Sequence, residues 1–248
     1  MTPRKKIWIT GASSGIGRQT AIEFSQRGYE VIVSGRNQDA LNKLAEQING
    51  TAIAFDVTDR LANLAAARQI EQSGGLDIVF LNAGTCEYLD IKNFNSALFE
   101  RTFATNFFGM VYGIEAALPL LRASNNPHLI GMSSTVAYAG LPRAAAYGAS
   151  KAAIRNMFES LRVDLLPEKI AVSVVCPGFV KTPLTDKNDF PMPGLISAKQ
   201  AAVYIANGIE KKRQEIYFPI FFSLVLKFLA LLPSPLYTYL IKKLTQST

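Results

Sequence analysis

The first thirty residues impose the tightest constraint on the fold. Lys6-Ile7-Trp8-Ile9-Thr10 reads as a buried strand, a glycine-rich turn follows, and Ile16 to Arg27 carries helical periodicity until Gly28 stops it. The same alternation recurs along the chain. Strands are expected at 30–34, 52–55, 78–81, 129–132 and 172–175, with helical stretches such as 40–48, 61–72 and 145–165 between them. Repeated strand–helix units imply an α/β protein, a parallel sheet with helices on both faces. No repeat or linker divides the 248 residues, and 49% hydrophobic content suffices for a sizeable core, so one domain is expected.

Charge and cysteine usage exclude more than they assign. A net charge of +7 suits an anionic ligand, an acidic membrane surface or nucleic acid, but no basic-aromatic module supports the last. Cys86 and Cys176 form no CxxC pattern and His128 has no ligand-spaced neighbour, so no metal site is expected and a reduced setting is the simplest. Met1 to Lys6 leaves no room for the apolar core of a signal peptide, and a cytoplasmic protein is expected. The apolar run 216–232 is broken by Pro219 and Lys227, and its proline-free part falls short of the ~20 residues a bilayer span needs. It reads as a buried or interfacial segment.

Thr10-Gly11-Ala12-Ser13-Ser14-Gly15-Ile16-Gly17 joins the first strand to the first helix. Such a turn lets backbone N–H groups and the helix dipole meet a pyrophosphate, and glycines stand where a Cβ would obstruct the approach. Its GxxxGxG spacing departs from the GxGxxG dinucleotide fingerprint. Dinucleotide sites of this architecture place an acid after the second strand for a free adenosine ribose, or an arginine for a 2′-phosphate. Here Gly35 stands where that carboxylate is expected, and Arg36 offers a planar cation suited to phosphate. NADP(H) is the expected cofactor.

Tyr147 and Lys151 lie four apart at the start of a helical stretch and project from one face. Ser133-Ser134 ends a strand thirteen residues before the tyrosine, Asn82-Ala83-Gly84 follows an earlier strand, and Asn106 falls within a long helical stretch. Taken singly, Ser134 reads as a strand-end cap and Asn106 as a local hydrogen-bonder. Their joint placement at the carboxyl ends of strands, where parallel sheets bind ligands, favours a catalytic set. Hydride transfer from a nicotinamide leaves negative charge on a substrate oxygen, which calls for a proton donor, Tyr147, and a polarising hydroxyl, Ser134. A neighbouring cation, Lys151, favours the phenolate.

With these residues in view, and with Asp56-Val57 and Pro177-Gly178-Phe179-Val180-Lys181-Thr182, the chain resembles the short-chain dehydrogenase/reductase family over nearly its whole length. The resemblance implies a Rossmann-type, doubly wound sheet. It also implies Ser13 and Ser14 near the cofactor phosphates, Asp56 and Val57 flanking the adenine, and Asn82, Ala83 and Gly84 under the adenosine ribose. Val180 and Thr182 would hold the nicotinamide carboxamide. Lys151 would bind the nicotinamide ribose, and Asn106 a water that relays protons to it. The implied reaction is reduction of a small-molecule carbonyl, an apolar ketone or aldehyde, to an alcohol. An NAD-dependent alcohol dehydrogenase is the alternative, and a non-catalytic cofactor-sensing or membrane-surface protein the reading from another class.

Residues 183–196 form a loop that could cover a substrate, with Phe190 and Met192 lining an apolar pocket or anchoring the loop. Segment 216–248 carries Lys227, Lys242 and Lys243 but no acid, and 235–244 is expected to form a short helix capped by Ser234. Packing over the cleft or between the subunits of a homo-oligomer is favoured for it over peripheral membrane contact, because Lys227 and two prolines interrupt the amphipathic pattern.

Overall fold

A computed structural model describes residues 4–246. The first half runs β1 (Lys6–Thr10), α1 (Gly15–Gln26), β2 (Glu30–Gly35), α2 (Gln38–Ile48), β3 (Thr51–Ala54), α3 (Arg60–Gln72) and β4 (Ile78–Leu81). Next comes one long helical rod: α4 (Ser96–Phe103), a π-turn (Ala104–Phe108) and α5 (Gly109–Arg122). The second half holds β5 (His128–Met132), α6 (Ala145–Asp164), β6 (Ala171–Pro177), β7 (Val180–Lys181), β8 (Ile196–Ser197), α7 (Ala198–Glu210), β9 (Glu215–Phe218), α8 (Ile220–Leu229) and α9 (Ser234–Gln246).

Seven parallel strands form one sheet in the order β3-β2-β1-β4-β5-β6-β9. The doubly wound sheet expected from the βα repeat is the one observed. Alternate residues of each strand feed opposite cores, as the two-residue period demands. Ile7, Ile9, Val31, Val33 and Phe80 pack beneath α1, α2 and α7, while Trp8, Ile32, Val79, Leu81 and Leu129 pack beneath α3, α5 and α6. The order in which strands are added reverses between β1 and β4, which opens a crevice at the carboxyl ends of those strands.

The rod from Ser96 to Arg122 is long and apolar enough to cross a membrane by length and composition, but half of its apolar window is buried and it packs on α3 and α6. It is a core helix of the second layer.

Three expectations need correction. The apolar run 216–232 is not one segment: its first residues form β9, and Pro219 starts α8. Proline disfavours a helical residue before it and fits the start of a helix after it, so the boundary falls there. Lys227 does not spoil α8, because it turns inward to an ion pair with Glu215 and lies over the rings of Tyr138 and Tyr217. The last helix, expected at 235–244, begins at Ser234 and runs to Gln246.

Candidate active site

The turn after β1 is shaped by contacts that only glycine permits. Gly11 sits at φ +65°, and a Cβ there would come within 2.7 Å of Ala83 Cα. A Cβ on Gly17 would meet Gly11 O at 2.4 Å and Asn82 Nδ2 at 2.5 Å. That Asn82 amide donates to Thr10 O (2.9 Å) and Gly11 O (3.2 Å), stitching the end of β4 to the turn. The result is a bare backbone cradle at the amino end of α1, where Ser14 occupies the N-cap without a side-chain cap bond. N–H groups and the helix dipole there suit a phosphate.

One cleft gathers most of the expected residues. Gly11, Ser13, Ser14, Gly15, Ile16, Gly17, Arg36, Asp56, Val57, Asn82, Ala83, Gly84, Tyr147, Lys151, Pro177 and Thr182 all line it. Arg36 follows β2 and precedes Asn37, whose side chain caps α2 by accepting from Ala40 N at 3.0 Å. The guanidinium is exposed and stands 3.9 Å from Asp56 Oδ2. Thr182 closes the far rim, its Cγ2 within 3.2 Å of where a Cβ on Gly15 would lie. Gly178 and Val180 lie outside this lining, with Val180 buried beside β8 and Gly178 against Phe222.

Ser134 and Asn106 fall outside that lining, though the Ser134 hydroxyl reaches the Tyr147 phenol. Ser134 Oγ donates to Pro177 O at 3.3 Å and accepts from Val136 N. Asn106 lies in the π-turn rather than in regular helix, and it is fully buried. Its Oδ1 accepts from Thr85 N at 2.7 Å, and its Nδ2 donates to Thr85 O and to Ser150 Oγ. Ser150 in turn donates to Tyr147 O at 2.7 Å, so Asn106 ties the loop following β4 to the first turn of α6. Lys151 Nζ donates to Met132 O at 2.9 Å, and Ser133 Oγ donates to Lys151 O, fixing α6 to the end of β5.

Electrostatics here run partly against the simple sequence argument. Burial pushes the Tyr147 phenol up, Cys86 adds to the rise, and the Ser134 hydroxyl pulls it back. Burial lowers the Lys151 ammonium to about 8. Among the protein groups alone, desolvation of Tyr147 outweighs the field of the lysine 5.8 Å from its ring centre.

Ser133 and the loop residues Pro183 and Leu184 also line the cleft, as do Phe55, Thr85, Thr105 and Met132, which no motif in the sequence marks. Tyr88 faces the loop 183–196: its hydroxyl donates to Asn188 Oδ1 at 2.8 Å, its ring meets Phe190 edge-on at 5.5 Å, and Arg143 lies over it. Arg143 also pairs with Asp189 at 2.8 Å. Phe190 continues to Phe179 and Phe179 to Phe222 of α8, an aromatic row with centroid steps of 6.0 and 5.5 Å. Met192 accepts from Asn188 Nδ2 within the same loop. No spacing rule announces partners forty to a hundred residues apart.

A nucleotide-sized cleft at the switch point of a doubly wound sheet, with a tyrosine–lysine pair at its wall, defines a dinucleotide-dependent oxidoreductase. The chain belongs to the short-chain dehydrogenase/reductase family, whose short chain dehydrogenase model matches residues 5–191. It is 35% identical over 235 residues to an uncharacterized oxidoreductase of Myxococcus xanthus, covering 92% of this chain and 93% of that one. A short-chain dehydrogenase from Streptomyces avermitilis superposes with TM-score 0.84 at 24% identity, covering 100% and 99% of the two chains. One from Sphingobium yanoikuyae, solved with NADPH, superposes with TM-score 0.79 at 22% identity over 87% and 88%.

Proposed function

We propose that this protein is an NADPH-dependent reductase that converts an apolar ketone or aldehyde to its alcohol. The observation that carries this reading is the Tyr147–Lys151 pair, opening onto the same cleft as the glycine cradle and Arg36. Gly11, Gly15 and Gly17 would receive the pyrophosphate, Arg36 the 2′-phosphate, and Asp56 and Val57 the adenine. Lys151 and Thr182 would hold the nicotinamide end. When bound, the cofactor supplies the hydride.

The chain's own residues account for the proton. The carbonyl oxygen would accept hydrogen bonds from Tyr147 and Ser134, and Tyr147 would release its proton to that oxygen as charge develops there. The Tyr147 phenol, which burial raises, is protonated at neutral pH, as proton donation to a carbonyl requires. Lys151 then faces the resulting phenolate. The NADPH seen in the Sphingobium relative supports the cofactor reading, as does the missing acid at Gly35. The aromatic row Tyr88–Phe190–Phe179 along the loop 183–196 supports an apolar substrate. Screening ketones and aldehydes for NADPH oxidation, with NADH in parallel, tests the proposal. Turnover with neither cofactor on any carbonyl, or a clear preference for NADH, would overturn it.

A further inference from the structure

The carboxyl-terminal helices have two faces. The inner one is accounted for: Leu226, Leu229 and Ile241 are buried with Ala139, flanked by Tyr138, Leu141 and Phe222. The Tyr237 hydroxyl donates to Gly140 O, pinning α9 to the same segment. Packing over the cleft or between subunits is the favoured expectation for this tail; the inner face packs instead on the segment 138–141.

The outer face is left to solvent and is apolar. Along α8 and just beyond it, Ile220, Phe221, Leu224, Val225, Phe228 and Leu231 are exposed, with Phe221 and Leu231 at 82% and Phe228 at 63%. Positions 221, 224, 228 and 231 recur at helical spacing, so they form one stripe. The only charge in α8, Lys227, is turned inward to Glu215, which leaves the stripe uncharged. On α9, Leu236 and Tyr239 are exposed, and Lys243 follows on the same face. A continuous apolar surface of this kind marks a contact site.

Charge decides between the occupants. Apart from the inward-turned Lys227, residues 216–248 contain the exposed Lys242 and Lys243 and no acidic residue, on a chain of net charge +7. A two-fold interface sets a patch against its own copy, so this face would meet the same cations and no acid. An anionic lipid surface complements a basic, acid-free segment and takes up the apolar stripe together, with Tyr239 suited to the headgroup boundary.

We infer that the outer face of α8 and α9 docks the protein on anionic membranes, lying in the interface rather than spanning it. Phe222 of α8 touches Phe179 and closes on Gly178, so docking brings the aromatic row that packs on the loop 183–196 beside the bilayer. A carbonyl compound dissolved in lipid would then have a short path to Tyr147. That consequence rests on the reductase reading; the docking itself does not.

Co-sedimentation of the full chain with vesicles of phosphatidylcholine, with and without phosphatidylserine, tests the inference without any activity readout. Binding should require phosphatidylserine and weaken as salt is raised. Phe221→Ser with Phe228→Ser should weaken binding by about tenfold or more, while circular dichroism and the thermal midpoint stay those of the parent, since both rings are exposed. A parent that stays in the supernatant at low salt, or a double variant that sediments like the parent, overturns the inference. So does a dimer that the double variant splits in the absence of vesicle binding, which would assign the face to a second copy.

Discussion

Tyr147 must part with a proton that its surroundings hold firmly, and Lys151 must stay charged in a place that disfavours charge. Tyr147→Phe keeps the ring and its packing and deletes only the transferable proton. Turnover should fall by about 10²–10⁴-fold with cofactor affinity nearly unchanged, as steady-state rates and an NADPH fluorescence titration would register. Lys151→Ala should lower both, because it removes the charge beside the phenol and the expected ribose contact together. The pH dependence follows from the direction of each shift. With the phenol raised, Tyr147 remains protonated through the neutral range and sets no limb there. With the ammonium lowered to about 8, Lys151 is charged below that pH and neutral above it. The rate of carbonyl reduction should be level on the acid side and decline as pH climbs through about 8, and Lys151→Ala should lack that limb. A rate that rises through the same range would contradict the assignment.

Strand ends set cofactor choice and loops set substrate choice, so the next two tests belong to elements. At the end of β2, a Cβ on Gly35 would find its nearest neighbour, Ser13 Oγ, at 3.5 Å, ordinary contact distance. Gly35→Asp therefore fits, and combined with Arg36→Ile it sets a carboxylate where a 2′-phosphate is expected and removes the cation. NADPH should bind at least about tenfold more weakly and NADH more tightly, a reversal worth roughly 1.4 kcal/mol per decade; unchanged preference in paired titrations would mean Arg36 does not read the phosphate. In the loop 183–196, Phe190→Ala deletes the ring between Tyr88 and Phe179. The Michaelis constant for an apolar carbonyl should rise by about tenfold, while NADPH affinity holds. What was legible in the sequence divides along the same lines. Buried parallel strands read as unbroken apolar runs, so β1 through β6 stood out, and the cradle and the Tyr147–Lys151 pair were local spacings. β9 was hidden because Ile216, Tyr217 and Phe218 run without a polar break into the apolar α8. The Asn106 clamp and the Tyr88–Asn188 and Arg143–Asp189 contacts join distant residues, and no periodicity reports them.

At the scale of the whole molecule, the tail is a structural part of the catalytic half rather than an appendage. β9 completes the sheet on β6, and α8 and α9 then cover the segment 138–141 that lies between Ser134 and Tyr147. Glu215 gathers Tyr138, Arg155 of α6 and Lys227 of α8 into one cluster, binding the tail to the helix that carries the catalytic pair. Removing 224–248 would strip Lys227 from Glu215 and expose Ala139 and Leu141 at once. The glycine cradle lies across the sheet on α1 and touches none of these residues. The truncated protein should therefore lose solubility or turnover on apolar carbonyls before it loses the capacity to bind NADPH. Leu226→Ala provides the milder companion, deleting a buried side chain at the centre of the tail's inner face, at a cost of about 2–5 kcal/mol. Its thermal midpoint should drop by several degrees, and its rate at low temperature should hold. If the truncated chain stayed soluble, kept the parent's thermal midpoint and turned over apolar carbonyls normally, α8 and α9 would have no part in building the catalytic wall.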